Sequence, residues 1–237
     1  MHAWGACCPS SILGIPTNWC GGEIPDDPIM DNFIVLIFQL IALLFSVIIH
    51  EVSHGIMAYR LGDPTAKNAG RLTLNPIKHL DFFGSFLLPF TLFLIKSPIL
   101  FGWAKSVPFN PLYLKNPKRD SGLIGLSGPL SNFSIAIIFS LILKILTFVD
   151  FVNPAFLFFI NIVILINVAL GVFNLVPIPP LDGSKVLFAF LPKSAEKYMA
   201  ALEQYGMFIL LFFIFFGFQL ITPIIFWLYG FLGSGAL

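Results

Sequence analysis

The chain has 237 residues, 57% of them hydrophobic and only 11% charged, with a mean hydropathy of +0.92. That composition excludes an ordinary soluble domain and reads as a multi-spanning membrane protein. Its 13 basic and 12 acidic residues leave a net charge of +1, which excludes a nucleic-acid surface, so the basic residues are informative about topology instead.

Residues 1–31 contain Cys7, Cys8 and Cys20 without metal-type spacing, and the stretch "GGEIPDDP". The cysteines read as a disulfide or as surface thiols. Lacking a basic n-region and a continuous apolar h-region, the segment reads as a flexible N-terminal extension rather than a signal peptide. The working domain is then residues 32–237.

A membrane-spanning helix takes about 20 apolar residues. Four stretches meet that need: Phe33 to Tyr59 with Glu51 as its only formal charge, Ser121 to Phe148 with only Lys144, and Phe156 to Val176 and Tyr205 to Leu232 with none. A fifth, residues 82–101, is interrupted by Pro89, Lys96 and Pro98 and reads as a re-entrant segment. The loops 59–81 and 102–120 are both basic and belong on the cytoplasmic face, which holds only if 82–101 does not cross. Alternation in "RLTLNPIK" and "KSVPFNPLYL" predicts short extended hairpins, confined to edges by Pro76, Pro108 and Pro111. The expected fold class is an all-α membrane protein, a polytopic bundle of four transmembrane helices with a re-entrant segment and short extended hairpins.

Chemistry enters at "IIHEVSHGIM" (48–57). Ionisable groups inside a membrane helix are expensive and usually mark function. His50 and His54, four apart, project from one helix face and can ligate one ion, while Glu51 stands beside them where it can reach a water rather than the metal. A catalytic zinc wants three protein ligands and an open position. Asp182 is the only acidic residue between Asp150 and Glu196, in "FNLVPIPPLDGSKVLF". The prolines break the preceding helix and Gly183 permits a tight turn that swings the carboxylate inward. The competing role for Asp182 is to cap a helix over "GSKVLFAFL". With four crossings, His50, His54 and Asp182 fall at one depth near the cytoplasmic side.

"HEVSH", "GRLTLNPIKHLD", "GWAKSVPFNP", "SGPLSN" and "FNLVPIPPLDGSKVL", in this order, resemble the site-2 protease family of intramembrane zinc metalloproteases, in its small form without a PDZ or CBS domain. The resemblance covers residues 31 to about 230, and "PPLDG" stands where some members have Asn-Pro-Asp-Gly. It implies an intramembrane zinc endopeptidase of the cell membrane, a multi-pass protein that cuts membrane-spanning segments of other proteins in regulated intramembrane proteolysis. His50, His54 and Asp182 match the zinc ligands, one Zn2+ per chain, and Glu51 the catalytic acid/base. The partners implied are a transmembrane substrate and the lipid bilayer. Asn132, Asn174 and His79 are candidates for substrate or oxyanion contacts, against the plainer role of tying helices together. A zinc transporter or sensor would explain the histidines and Asp182 but not Glu51 in the general-base position.

Overall fold

The computed structural model describes residues 28–81, 87, 91, 94, 105–150 and 153–233. The chain divides into two compact units, one of residues 1–35 and 80–105 and the other of 36–79 and 106–237. Every side-chain contact and the site described below lie within the second unit. The cysteines and the expected re-entrant element at 82–101 lie outside the described residues, save for single positions in the latter.

Helix α1 (Pro28–Arg60) begins inside the stretch read as a flexible extension and runs for 33 residues, about 50 Å at 1.5 Å per residue. It ends because Gly62 adopts φ +108°, which a side chain would resist. Gly62 N–H then bonds to Tyr59 O at 3.2 Å and Asp63 N–H to Ala58 O at 2.9 Å, the reciprocal pair of a Schellman cap, with Arg60 in the last turn complementing the helix dipole. A single turn, α2 (Thr65–Asn68), follows.

Helix α3 (Pro117–Phe148) starts on a proline, where the missing N–H costs nothing, and Asp120 accepts the Asn116 N–H at 2.9 Å. The α4 helix (Pro154–Asn174) starts likewise on proline, with Asn153 Oδ1 accepting Phe156 N–H at 3.1 Å. A turn containing a cis Pro179–Pro180 bond leads into the short α5 (Asp182–Phe190). The last crossing is longer than its apolar run, because α6 (Glu196–Phe212) begins in polar sequence and continues through a π-turn at Phe213–Gly217 into α7 (Phe218–Gly233).

Among the described residues, four helical stretches are long and apolar enough to span a membrane: Phe33–Arg60, Pro117–Phe148, Pro154–Asn174 and Lys197–Gly233. The protein is thus an all-α multi-pass membrane protein. Exposed Phe208, Phe212, Phe215 and Phe216 suit a lipid-facing surface. Between α3, α4 and α7 lies an apolar core that includes Ala136, Leu143, Ile160, Ile164, Val168 and Ile221.

One expectation is corrected. Among the described residues there is no strand, so "RLTLNPIK" and "KSVPFNPLYL" form no hairpin. Each closes instead on a 3-10 turn, Pro76–Lys78 and Pro111–Tyr113. The cause is local: Asn75 and Asn110 accept the N–H two residues on, at 3.1 and 3.0 Å, and the proline between sets the turn.

The approach of α5 to α3 depends on small residues. Gly122, Gly125 and Gly128 recur at three-residue spacing on α3. A Cβ on Gly122 would lie 2.5 Å from Ala189 Cβ, and one on Gly125 would lie 3.0 Å from the Asp182 carbonyl. Close backbone packing of this kind is how helices associate where lipid offers no hydrophobic contrast.

Candidate metal centre

His50 and His54 sit one turn apart on α1, both buried, with their rings edge to face and centroids 4.6 Å apart. Gly128 of α3 makes the space: a Cβ there would lie 2.5 Å from His54 Nε2 and 2.6 Å from His50 Cε1. From the other side comes Asp182, the first residue of α5, also buried. Leu181 holds the N-cap position, and the Asp182 oxygens are bonded to His50, His54 and Lys185, so the carboxylate is not the cap of this helix. Gly183 is required for another reason than a turn. It lies within α5, and a Cβ there would strike the Leu175 carbonyl oxygen at 2.2 Å, so the α4–α5 connection closes only on glycine.

The three side chains meet in a triangle. Asp182 Oδ2 is 3.0 Å from His50 Nε2 and 2.9 Å from His54 Nε2, and the two Nε2 atoms are 3.1 Å apart. Four-coordinate zinc with bonds of about 2.0–2.1 Å separates its ligand atoms by about 3.3 Å. The triangle is close to that size.

What surrounds the rings decides their protonation. His54 Nδ1 lies 2.6 Å from the Ile124 carbonyl, which can only accept, so Nδ1 carries the proton. His50 Nδ1 lies 2.6 Å from Asn132 Oδ1. The Asn132 amide is oriented in turn, since its Nδ2 donates to Asn167 Oδ1 at 3.0 Å, while Asn167 Nδ2 donates to Ser46 Oγ and the Val163 carbonyl, both at 2.9 Å. Ser46 donates onward to the Ala42 carbonyl at 2.7 Å. With both Nδ1 atoms donating, each neutral imidazole presents a lone pair at Nε2. Two nitrogen lone pairs and a carboxylate oxygen then face one another, an arrangement that repels itself and becomes favourable around a cation. The donor set fits zinc: nitrogen and oxygen ligands, each imidazole held by a partner at its far nitrogen.

A cavity of about 340 Å³ opens beside the triangle, walled by Glu51, Val107, Phe109, Asn174 and Lys185 as well as the three ligands. Glu51 Oε2 accepts the Val107 N–H at 2.7 Å. Val107 is placed for this at two points. A Cβ on Gly55, one turn beyond Glu51, would come within 2.9 Å of Val107 Cγ1, so the valine packs in a notch on α1. Three residues on, Asn110 N–H donates to Asp63 Oδ2 at 2.6 Å, and Asp63 Oδ1 accepts from the Thr65 backbone and hydroxyl. Burial pushes the Asp63 carboxyl up, but the Thr65 hydroxyl and the Asn110 and Thr65 amides outweigh it and hold the group below its ordinary value of 3.8.

The residues suggested for substrate contact part ways. Asn174 lines the cavity, with Nδ2 tied to the Leu170 carbonyl at 3.0 Å. Asn132 has no exposed surface, and its polar atoms are taken by His50, Asn167 and Ser46 O. It is bonded to the His50 ring and is not among the residues that line the cavity. His79 is fully buried outside the cavity lining, with Nε2 donating to the Thr73 carbonyl at 2.8 Å and Nδ1 without a partner among the described residues. Sequence reading passed over Ser46, Asn167, Lys185, Asp63 and Val107. Asn167, an amide in an uncharged membrane helix, and the glycines at three-residue spacing were the available signals.

Comparison with known proteins gives a consistent picture. The model of peptidase family M50 matches residues 149–217. "Putative zinc metalloprotease YwhC" of Bacillus subtilis is 37% identical over 192 residues, 77% of this chain and 84% of that protein. "Putative zinc metalloprotease Rip2" of Mycolicibacterium smegmatis is 29% identical over 241 residues, 95% of this chain and 87% of the relative. "Putative zinc metalloprotease MJ0611" of Methanocaldococcus jannaschii is 32% identical over 161 residues, 66% of this chain and 73% of its own. No solved structure matches.

Proposed function

Because the chain belongs to peptidase family M50, we propose that it is an intramembrane endopeptidase, hydrolysing peptide bonds in or near the membrane-spanning segments of other proteins in regulated intramembrane proteolysis. It is a zinc metallopeptidase. The observation that carries the intramembrane reading is where the ligands stand: on α1, within a helix apolar enough to span, and on α5, just past the end of a second such helix. Ligands carried at that place suit a substrate that is itself a transmembrane segment.

His50 Nε2, His54 Nε2 and Asp182 Oδ2 would hold the metal, one ion per chain. Zinc bound there supplies Lewis acidity that acidifies water and polarises a peptide carbonyl. Glu51 is the general base and then the general acid. Its Oε2 is engaged by the Val107 N–H, which keeps the carboxylate in one orientation and leaves Oε1 to take a proton from the attacking water and deliver it to the leaving amide nitrogen. Asn174 lines the same cavity, and with its Nδ2 bonded to the Leu170 carbonyl its Oδ1 is the atom assigned to contact with the backbone of an extended substrate. A helical segment must open first, since its amides are internally bonded. The enzyme works in the cell membrane, with the loops 59–81 and 102–120 on the cytoplasmic side.

Replacing Glu51 by Gln tests the assignment. The variant should retain one zinc per chain, while cleavage of a tethered transmembrane substrate in vesicles falls by at least about 10²–10⁴-fold. His50→Ala should lose the metal as well. Wild-type turnover by Glu51→Gln would remove Glu51 from the chemistry.

A further inference from the structure

Lys185 is the single cationic side chain on the wall of the metal cavity among the described residues. Its ammonium donates to Asp182 Oδ1 at 2.9 Å, while the other oxygen, Oδ2, faces the two histidines. The two residues lie one helical turn apart on the same face of α5. The lysine stem is seated: its Cβ and Cδ lie 3.0 and 3.3 Å from where Gly125 would carry a Cβ, so that glycine is the notch the stem fills. Its Nζ stands 5.7 Å from the centroid of the Phe109 ring, within cation–π reach. Asp182 is buried, with 8% of its side chain exposed against 34% for Lys185, so the ammonium approaches Oδ1 from the wetter side.

We propose that Lys185 is the positioning residue of this metal centre, holding Oδ1 so that Asp182 offers one oxygen to the metal and a coordination position stays open. The proposal rests on the metallopeptidase reading. A carboxylate free to rotate presents either or both oxygens, and a second oxygen would fill the position that a catalytic zinc must leave for water and substrate. Hydrogen bonds to ligating carboxylates commonly set this, and their removal costs about 10- to 100-fold in metal affinity or activity. Here the donor is charged, comes from the same helix turn as the ligand, and is braced by α3 and by Phe109.

The test uses the full chain with zinc exchanged for Co2+, whose visible absorption weakens as coordination rises from four to five. The wild type should give the strong four-coordinate spectrum. Lys185→Met, which keeps the stem and removes the donor, should weaken it and lower cleavage by about 10- to 100-fold. Lys185→Arg should restore both. Lys185→Leu, with a shorter apolar stem, is read in parallel in case the Met chain folds poorly. A four-coordinate spectrum in either apolar variant, or an Arg variant no better than Met, overturns the proposal. Failure of the metallopeptidase reading looks different, because then the wild type itself would take up no stoichiometric cobalt.

Discussion

Helices α3 and α4 are joined at two levels by unlike chemistry. Near the metal centre, Asn132, Asn167 and Ser46 meet His50 in a chain of hydrogen bonds that uses the buried amides at both ends. Further along, Ala136, Leu143, Ile160 and Ile164 meet Ile221 and Ile225 in an apolar core. Both levels are buried, yet they do different work. In lipid, apolar side chains gain little from leaving the solvent, so the apolar level is held by shape, and a helix sliding along it loses modest packing. An amide has few partners at the right distance, so the polar level sets register and rotation. The polar level therefore belongs beside the ligands, where a small displacement is costly.

The strongest way to break this comparison is to add one methyl group at each level. Gly128→Ala places a carbon within 2.6 Å of both imidazoles. Misplacing ligands by an ångström costs about 10²-fold or more in turnover, so this variant should lose zinc and activity together. Gly171→Ala places its carbon 2.8 Å from the ring of Phe133, a side chain that packs against the apolar core and has no contact with the imidazoles. Overpacking there costs about 1–3 kcal/mol of stability, and zinc content should not change. Elemental analysis with thermal denaturation reads both; zinc loss in Gly171→Ala would show that the two levels are not separable.

A smaller effect sharpens it. Asn167→Leu removes the acceptor that orients Asn132, and through it His50. A hydrogen bond between membrane helices is worth about 0.6–1.7 kcal/mol, so zinc affinity should fall about three- to twentyfold in competition with a chelator. Ile164→Val, which shortens a fully buried side chain, should cost about 0.5–1.5 kcal/mol of stability and leave zinc affinity alone. Equal zinc affinity in both variants would mean that the polar chain is structural only.

The smallest effect lies beyond the spanning stretch of α1. Asp63 holds the segment bearing Val107, and its carboxyl sits below its ordinary value in the folded protein. A depressed folded-state pKa gives a contribution that is complete above the ordinary carboxylate range and is lost as pH falls through the folded value. Protection of the Asn110 amide, its exchange relative to the intrinsic rate at each pH, should therefore fall below about pH 4, and in Asp63→Asn it should be lower at neutral pH and lose that dependence. An acid response identical in the two chains would place the titrating group elsewhere.

Much of this protein was legible from local pattern. Length and absence of charge sufficed for the four spanning helices, because a bilayer of fixed thickness imposes one length on any helix that crosses it. His50 and His54 at i and i+4 share a face in any α-helix, and Glu51 follows. Asp182 could be singled out because few acidic residues compete with it. The hairpins misled, since alternation reports side-chain direction and is blind to asparagine–proline turns that satisfy the backbone locally.

Only tertiary structure decided the rest. Asp182 lies 132 residues from His50, and no local rule says that its Oδ2 faces histidines while Oδ1 faces Lys185. That Asn132 is fully buried and bonded to His50 Nδ1 is likewise a matter of how α3 packs on α1. The tautomer of each histidine depends on an acceptor from α3, and the room for both rings on a glycine of that helix. Sequence determines which groups a helix carries and on which face. Which lone pair meets which proton depends on approach distances of a few tenths of an ångström between helices, and those are set by packing.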